Sequence, residues 1–145
     1  MAYVEISFVE EADAKAVTAT IEDRLLHALA EENEQSNNES FVLKATDETG
    51  KILGGLSAST SYDWLLIKLL WVDDKVRGAG LGRRLVQLAE HEAQRLGCNA
   101  AWLDTSNEAA HRFYLGLGYE DFGVLANPPN RRLSSHRRWF MKKDL

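Results

Sequence analysis

Val76-Arg77-Gly78-Ala79-Gly80-Leu81-Gly82-Arg83-Arg84-Leu85 is the stretch that decides how this chain folds. An apolar, strand-like run over residues 65–72 leads into it, and a strongly periodic helix over 81–96 leads out. Glycines at 78, 80 and 82 strip the Cβ atoms from one side of a tight turn. The backbone there can approach a ligand closely and aim successive N–H groups at it. The helix adds first-turn amides that have no ladder partner and the positive end of its dipole. Such a turn suits an anion, and a pyrophosphate above all. Taken alone, a glycine run can also be read as a flexible turn, the lesser reading; its context lowers that further. A dinucleotide loop would end the first strand of the chain, with an acidic residue roughly 20 positions on. This turn lies past the middle of the chain. A phosphate loop of the Walker kind needs Gly-Lys-Ser/Thr, whereas Gly82 is followed by Arg83.

Working outward, Val4, Ile6 and Phe8 alternate with Glu5 and Ser7, which predicts a half-buried first strand. Ala14, Val17, Ile21, Leu25 and Ala28 recur at helical spacing, with Asp13 or a neighbour as the cap. A polar loop over 31–40 precedes strands at 41–46 and 52–60, joined by the turn residues Asp47 to Lys51. Residues 64–72 are almost continuously apolar, as in a strand buried on both faces; Lys68 is the exception. Leu81, Leu85, Leu88, Ala89 and Leu96 make one stripe of the next helix, and Gly97 stops it. A short strand at 100–104, a short helix at 107–117 closing at Gly118, and a final hairpin of strands 119–124 and 136–142 complete the order. The order predicts an α/β (α+β) fold: a mixed, mainly antiparallel sheet of six to seven strands flanked by helices.

The 145 residues suffice for one domain with a real core, so 1–145 is expected to be a single domain. The lone Cys98 excludes an internal disulfide and suits a reducing cytoplasm, and it reads as a small buried hydrophobe at a strand start. No signal peptide is apparent, and no apolar run approaches the ~20 residues that span a membrane. A cytoplasmic protein is the expectation. The first 50 residues hold twelve Asp and Glu against three Lys and Arg, and the whole chain carries −5. That balance argues against nucleic-acid binding. Arg131, Arg132, Arg137, Arg138, Lys142 and Lys143 form a local basic exception, equally readable as a charged, protected sheet edge. No His, Cys, Asp or Glu spacing suggests a metal site.

Arg77, Gly80 and Gly82, following a hydrophobic strand that ends in Trp71-Val72, resemble the acetyl-coenzyme A loop of the GNAT N-acetyltransferase superfamily, Arg/Gln-x-x-Gly-x-Gly/Ala. Asn107 to Tyr114, then Leu117-Gly118-Tyr119, resembles that superfamily's second signature. The resemblance spans residues 41–145 and implies acetyl transfer from acetyl-CoA to a primary amine. It implies that the amides of Arg77, Gly78, Ala79, Gly80, Leu81, Gly82 and Arg83 hold the pyrophosphate, with Arg83 or Arg84 assisting unless they merely start the helix. The backbone of Leu70, Trp71 and Val72 would pair with the pantetheine arm where the strand splays from the next, with the Leu70 N–H on the thioester oxygen. Trp71 either walls the acceptor pocket or fills core. Tyr114 would be the acid for the departing thiolate, and Asn107 would bind the arm, cap its helix, or do both.

The general base departs from the best-known members. Where some carry a strand Glu, this chain has Leu66, and residues 64–72 include no carboxylate. Ordered water or Asp104 would serve, although Asp104 reads equally as a turn cap. His111 reads mainly as an exposed helix residue. The resemblance implies that the acidic first third borders the acceptor site, hence a small cationic acceptor. The basic 131–138 segment, which also tends to border it, leaves open an acceptor that bears a carboxylate or phosphate as well. A homodimer is compatible with the apolar strand around Trp139, Phe140 and Met141. An acyl-CoA-binding module without turnover is the alternative.

Overall fold

The protein is described by a computed structural model covering residues 2–145, which divides into two compact units, one up to Gln35 and one over Ser36–Leu145. The first unit contains α1 (Glu11–Glu32). Glu11 and Asp13 place negative charge in its first turn, which favours the positive dipole end, but no side chain caps it. The strand expected from Val4, Ile6 and Phe8 does not form, and residues 2–10 have no regular structure. Alternation fixes only which face a strand would bury; the strand itself needs a ladder partner, and these residues have none.

The second unit is a sheet shaped by its turn chemistry, by bulges in its ladders and by one helix face. Its strands are β1 (Glu39–Thr46), β2 (Ile52–Ser61), β3 (Trp64–Val72), β4 (Ala100–Thr105), β5 (Glu120–Ala126) and β6 (Arg137–Asp144). They lie in the order β1-β2-β3-β4-β6-β5. The pair β3–β4 is parallel and the other neighbours are antiparallel, so the sheet is mixed and mainly antiparallel, as expected. The β1–β2 turn is tied by the Asp47 carboxylate, which accepts from the Thr49 amide at 2.8 Å and the Lys51 amide at 3.0 Å. Tyr62 and Asp63, at φ 49° and 67°, form the two-residue turn between β2 and β3.

Helix α2 (Leu81–Arg95) lays Leu85, Val86, Ala89 and Ala93 on the sheet. Leu88, expected on that stripe, is exposed, and Val86 takes the buried position. The drift of a 3.6-residue period moves 88 to the rim. Leu56, Leu65, Leu103, Met141 and Val86 are the largest fully buried side chains. Burying a leucine in this way stabilises by roughly 1.5–3 kcal/mol. Cys98 is 7% exposed, in the turn before β4 rather than at the strand start, and burial pushes its thiol above the ordinary range. Helix α3 (Glu108–Gly116) follows β4, and the 127–136 loop joins β5 to β6.

The feature that positions the site is in β3. Ser57 faces Leu69 and Ala58 faces Ile67, so Lys68 is an extra residue bulged out of the ladder. On the other side, β3 pairs with β4 only at Trp64, Leu65 and Leu66. Beyond the bulge the two parallel strands part. Burial on both faces, expected for the whole run, therefore holds only near Leu65 and Ile67, while Lys68, Leu69 and Trp71 are exposed.

Candidate active site

The parted strands open a cleft of about 780 Å³. At its mouth the chain leaves β3 through a single 3-10 turn, Asp74–Val76, whose first free amide, on Lys75, is capped by the Asp73 carboxylate at 2.9 Å. Arg77 folds back on the turn. Its Nε donates to the Val72 carbonyl at 3.0 Å and its guanidinium pairs with Asp74 at 2.7 Å. These contacts brace the turn from within.

Gly78 and Gly80 follow at φ 84° and 80°, a conformation that a Cβ strains, and nothing lies within 4 Å of where either Cβ would stand. Gly80 is also the N-cap of α2, and no side chain caps the helix there. The first helical bond runs from the Arg84 amide to the Gly80 carbonyl at 3.1 Å, so the amides of Leu81, Gly82 and Arg83 precede the ladder. Gly82 has a different purpose. A Cβ on it would meet the Phe113 ring at 3.2 Å, so glycine lets α2 close on α3. The turn thus presents open backbone and unladdered donors at a positive helix end, the donor set a diphosphate needs.

One wall of the cleft is β3, with Leu70, Trp71 and Val72, and the other is the end of β4 and the start of α3, with Asp104, Thr105, Asn107, Phe113 and Tyr114. Of the residues named from sequence, Arg77, Gly78, Gly80, Leu81, Gly82 and Arg83 also line it. Ala79 and Arg84 do not. They face a separate hollow with Leu88 and His91; Ala79 stands between two left-handed glycines, and Arg84 lies on the helix face it shares with Leu88 and His91. Trp71 is 50% exposed and walls the cleft, which removes its reading as core filler.

Tyr114 is 6% exposed, with Phe113 and Tyr119 edge-on at ring centroids of 5.1 and 5.6 Å. Burial pushes its phenol up to about 12, which keeps it protonated at neutral pH. Among the described residues no partner engages its hydroxyl, and no fully buried polar side-chain atom lacks one, so the hydroxyl opens to the cleft. Asn107 is the N-cap of α3, accepting from the Ala110 amide at 2.9 Å. Asp104 does not cap a turn. It pairs with Arg138 Nε at 3.1 Å across the β4–β6 ladder.

Sequence reasoning missed three members of this region. Lys68 lines the cleft because of the bulge, and its lone charge in an apolar run was the available signal. Arg138 reaches Asp104 only through strand pairing, which no local pattern reveals. His111, expected to be exposed, is mostly covered: it stacks on Trp139 at 4.3 Å and 9°, and its Nε2 meets the Asp121 carboxylate at 2.8 Å.

A mixed sheet parted between its two parallel strands, with an uncapped glycine turn at the opening, defines the acyl-CoA N-acyltransferase fold. The model of the acetyltransferase (GNAT) family matches residues 7–119. Over 114 residues the chain is 33% identical to an acetyltransferase of Agrobacterium fabrum, covering 79% of this chain and 82% of that protein. Over 82 residues it is 40% identical to the blasticidin-S acetyltransferase of Streptomyces morookaense, covering 56% of this chain and 60% of that one. The crystal structure of an acetyltransferase from Bacillus cereus is similar at a TM-score of 0.79 and 27% identity, covering 98% of both chains. The chain belongs to the acetyltransferase (GNAT) family, whose acyl donor is acetyl-CoA. Among the described residues no group of side chains could hold a metal, and no helix is long and apolar enough to cross a membrane.

Proposed function

We propose that residues 1–145 work as a single N-acetyltransferase domain that moves acetyl from acetyl-CoA directly to a primary amine of a small, cationic acceptor. The observation that carries this reading is the meeting, in one cleft, of the open turn at Gly78 and 80–83 with the unpartnered Tyr114 hydroxyl. In it, the turn amides from Arg77 to Arg83 grip the diphosphate, with the Arg83 side chain assisting, while the Arg77 guanidinium braces the turn. Ala79 contributes its backbone only. Leu70, Trp71 and Val72 offer main chain to the pantetheine arm, with the Leu70 N–H polarising the thioester carbonyl, and Asn107 adds a side-chain contact. Tyr114 hands its proton to the leaving sulfur as the tetrahedral centre collapses. Asp104 takes the amine's proton, directly or through water.

The cationic acceptor is supported by the acidity of the first 50 residues, by Asp104 as the carboxylate on the cleft wall, and by an antibiotic acetyltransferase among the relatives. A screen of amines with acetyl-CoA, read as thiol release, tests it. Blasticidin S, spermidine and a simple lysine amide are the positive arm. Turnover confined to neutral or anionic amines would overturn the charge reading. The second reading, an acyl-CoA-binding module without turnover, draws on one observation: β3 carries no carboxylate, and Asp104 is occupied by Arg138. Tight acetyl-CoA binding with no thiol release from any amine would favour it. The proposal includes the cytoplasm as location and a homodimer as the acting form. Phe122, Val124 and Leu125, exposed on the edge strand β5, support the dimer, and sedimentation of the purified chain measures it.

A further inference from the structure

Glu90 is a carboxylate on the inner face of α2, 7% exposed, and nothing in the reaction outlined above uses it. Burial of a charge is unfavourable unless it is paired and hydrogen-bonded, and an apolar residue would fill such a place as well. Its partners come from two other elements. Lys143 of β6 reaches the two carboxylate oxygens at 3.1 and 2.9 Å, and the Tyr119 hydroxyl donates to it at 3.0 Å. Lys143 also lies over the Tyr119 ring, 5.6 Å from its centre. The Tyr119 hydroxyl is thus anchored on Glu90, and Lys143 holds that carboxylate and covers the ring.

Tyr119 in turn holds Tyr114. Helix α3 ends in a Schellman motif with Gly118 at φ 95°. The Gly118 amide donates to the Leu115 carbonyl at 3.1 Å, and the Tyr119 amide donates to the Tyr114 carbonyl at 3.0 Å. The two tyrosine rings complete the motif's apolar contact, edge-on at 69°. Tyr119 therefore grips the backbone and the ring of Tyr114 at once. Burial, and then the charge of Glu90, push the Tyr119 phenol far above its ordinary range, so it remains a donor.

We propose that Glu90 and Tyr119 are positioning residues for acetyl transfer: Glu90 fixes the Tyr119 hydroxyl between α2 and β6, and Tyr119 thereby sets the place of the Tyr114 phenol in the cleft. Because Glu90 belongs to the helix whose N-terminus carries the glycine turn, the same tie sets Tyr114 against the bound thioester. This inference rests on the reading of Tyr114 as the acid.

A double-mutant cycle tests it. Thiol release from acetyl-CoA is followed with blasticidin S as probe amine and with water alone, at a temperature where each variant is shown by its melting curve to be folded. Tyr119→Phe keeps the ring and the amide and removes only the hydroxyl. It is expected to lower kcat about tenfold with KM for acetyl-CoA within about twofold, as a small misplacement of a reacting group does. Glu90→Gln is expected to do the same. In a Tyr114→Phe background neither replacement should slow the reaction further. Equal losses in both backgrounds, or no loss in the native background while Tyr114→Phe is slow, would overturn the tie and leave Tyr114 as the acid. A Tyr114→Phe variant as fast as the native chain would remove the acid itself, and the tie with it.

Discussion

Two helices begin at the same cleft and begin differently. Helix α3 starts on Asn107, whose side chain satisfies the Ala110 amide, and helix α2 starts on Gly80, which has no side chain to offer. An Asn, Ser, Thr or Asp at position 80 would cap α2 in the ordinary way. It would also occupy the donors that the turn leaves open, and only glycine accepts φ 80° without strain. On the proposed function, the capped start holds the Tyr114 side chain in place and the open start leaves its donors to the coenzyme. That reading would account for a helix end left uncapped beside one that is capped.

The sharpest test falls on the capped side. Tyr114→Phe should lower kcat about 100-fold, the ordinary contribution of a positioned proton donor, with little change in KM for acetyl-CoA. A loss in KM alone would make Tyr114 a wall of the cleft and nothing more. On the open side, Gly80→Ala puts a methyl group into the space beyond the turn and strains a left-handed residue by roughly 1–2 kcal/mol. Acetyl-CoA affinity, measured by calorimetry, should fall at least about tenfold with kcat at saturation nearly kept. If affinity holds while only the melting temperature drops, the turn is structural.

Asn107→Ala reverses the comparison by uncapping α3. It should destabilise the fold by about 1 kcal/mol in denaturant titrations. A loss of acetyl-CoA affinity beyond that of other cap removals would give Asn107 the second role of holding the pantetheine arm. The smallest effect appears only in alkali. Tyr114 is raised to about 12 by burial, and Tyr119 is raised further. Unfolded phenols ionise near pH 10, so above that pH the unfolded chain binds fewer protons than the folded one. Stability is then fully present below about pH 10 and falls as pH rises towards 12. Denaturation midpoints at pH 9, 10 and 11 should show this decline, and Tyr119→Phe should flatten it. A native chain whose midpoint holds through pH 11 would place both rings in a wetter environment than the cleft geometry gives.

The limits of β3 are legible in the sequence because Trp64 to Val72 is an apolar run bounded by turn residues on both sides, and the structure keeps those bounds. The glycine turn is legible too, since its physics is local. The parting of β3 from β4 came only through family resemblance. The parting starts beside the bulge at Lys68, which depends on how β2 pairs, and a strand's register is a property of two strands. Asp104 was placed in the cleft, but its partner Arg138 lies 34 residues away on a strand that reaches it through the sheet. The pairing of His111 with Asp121 fails for the same reason, because β5 returns beside α3 only in three dimensions. Val4 to Phe8 shows the converse: a convincing alternation without a neighbour makes no strand.

Cys98 has a practical bearing on the thiol-release assays proposed above. It is the chain's only sulfhydryl, it is shielded by the core, and its ionisation is suppressed. Disulfide dyes react with thiolates, so the folded protein is expected to react slowly with them near neutrality. Dye consumed in such an assay then reports mainly freed coenzyme, and a blank with enzyme alone measures the contribution of Cys98.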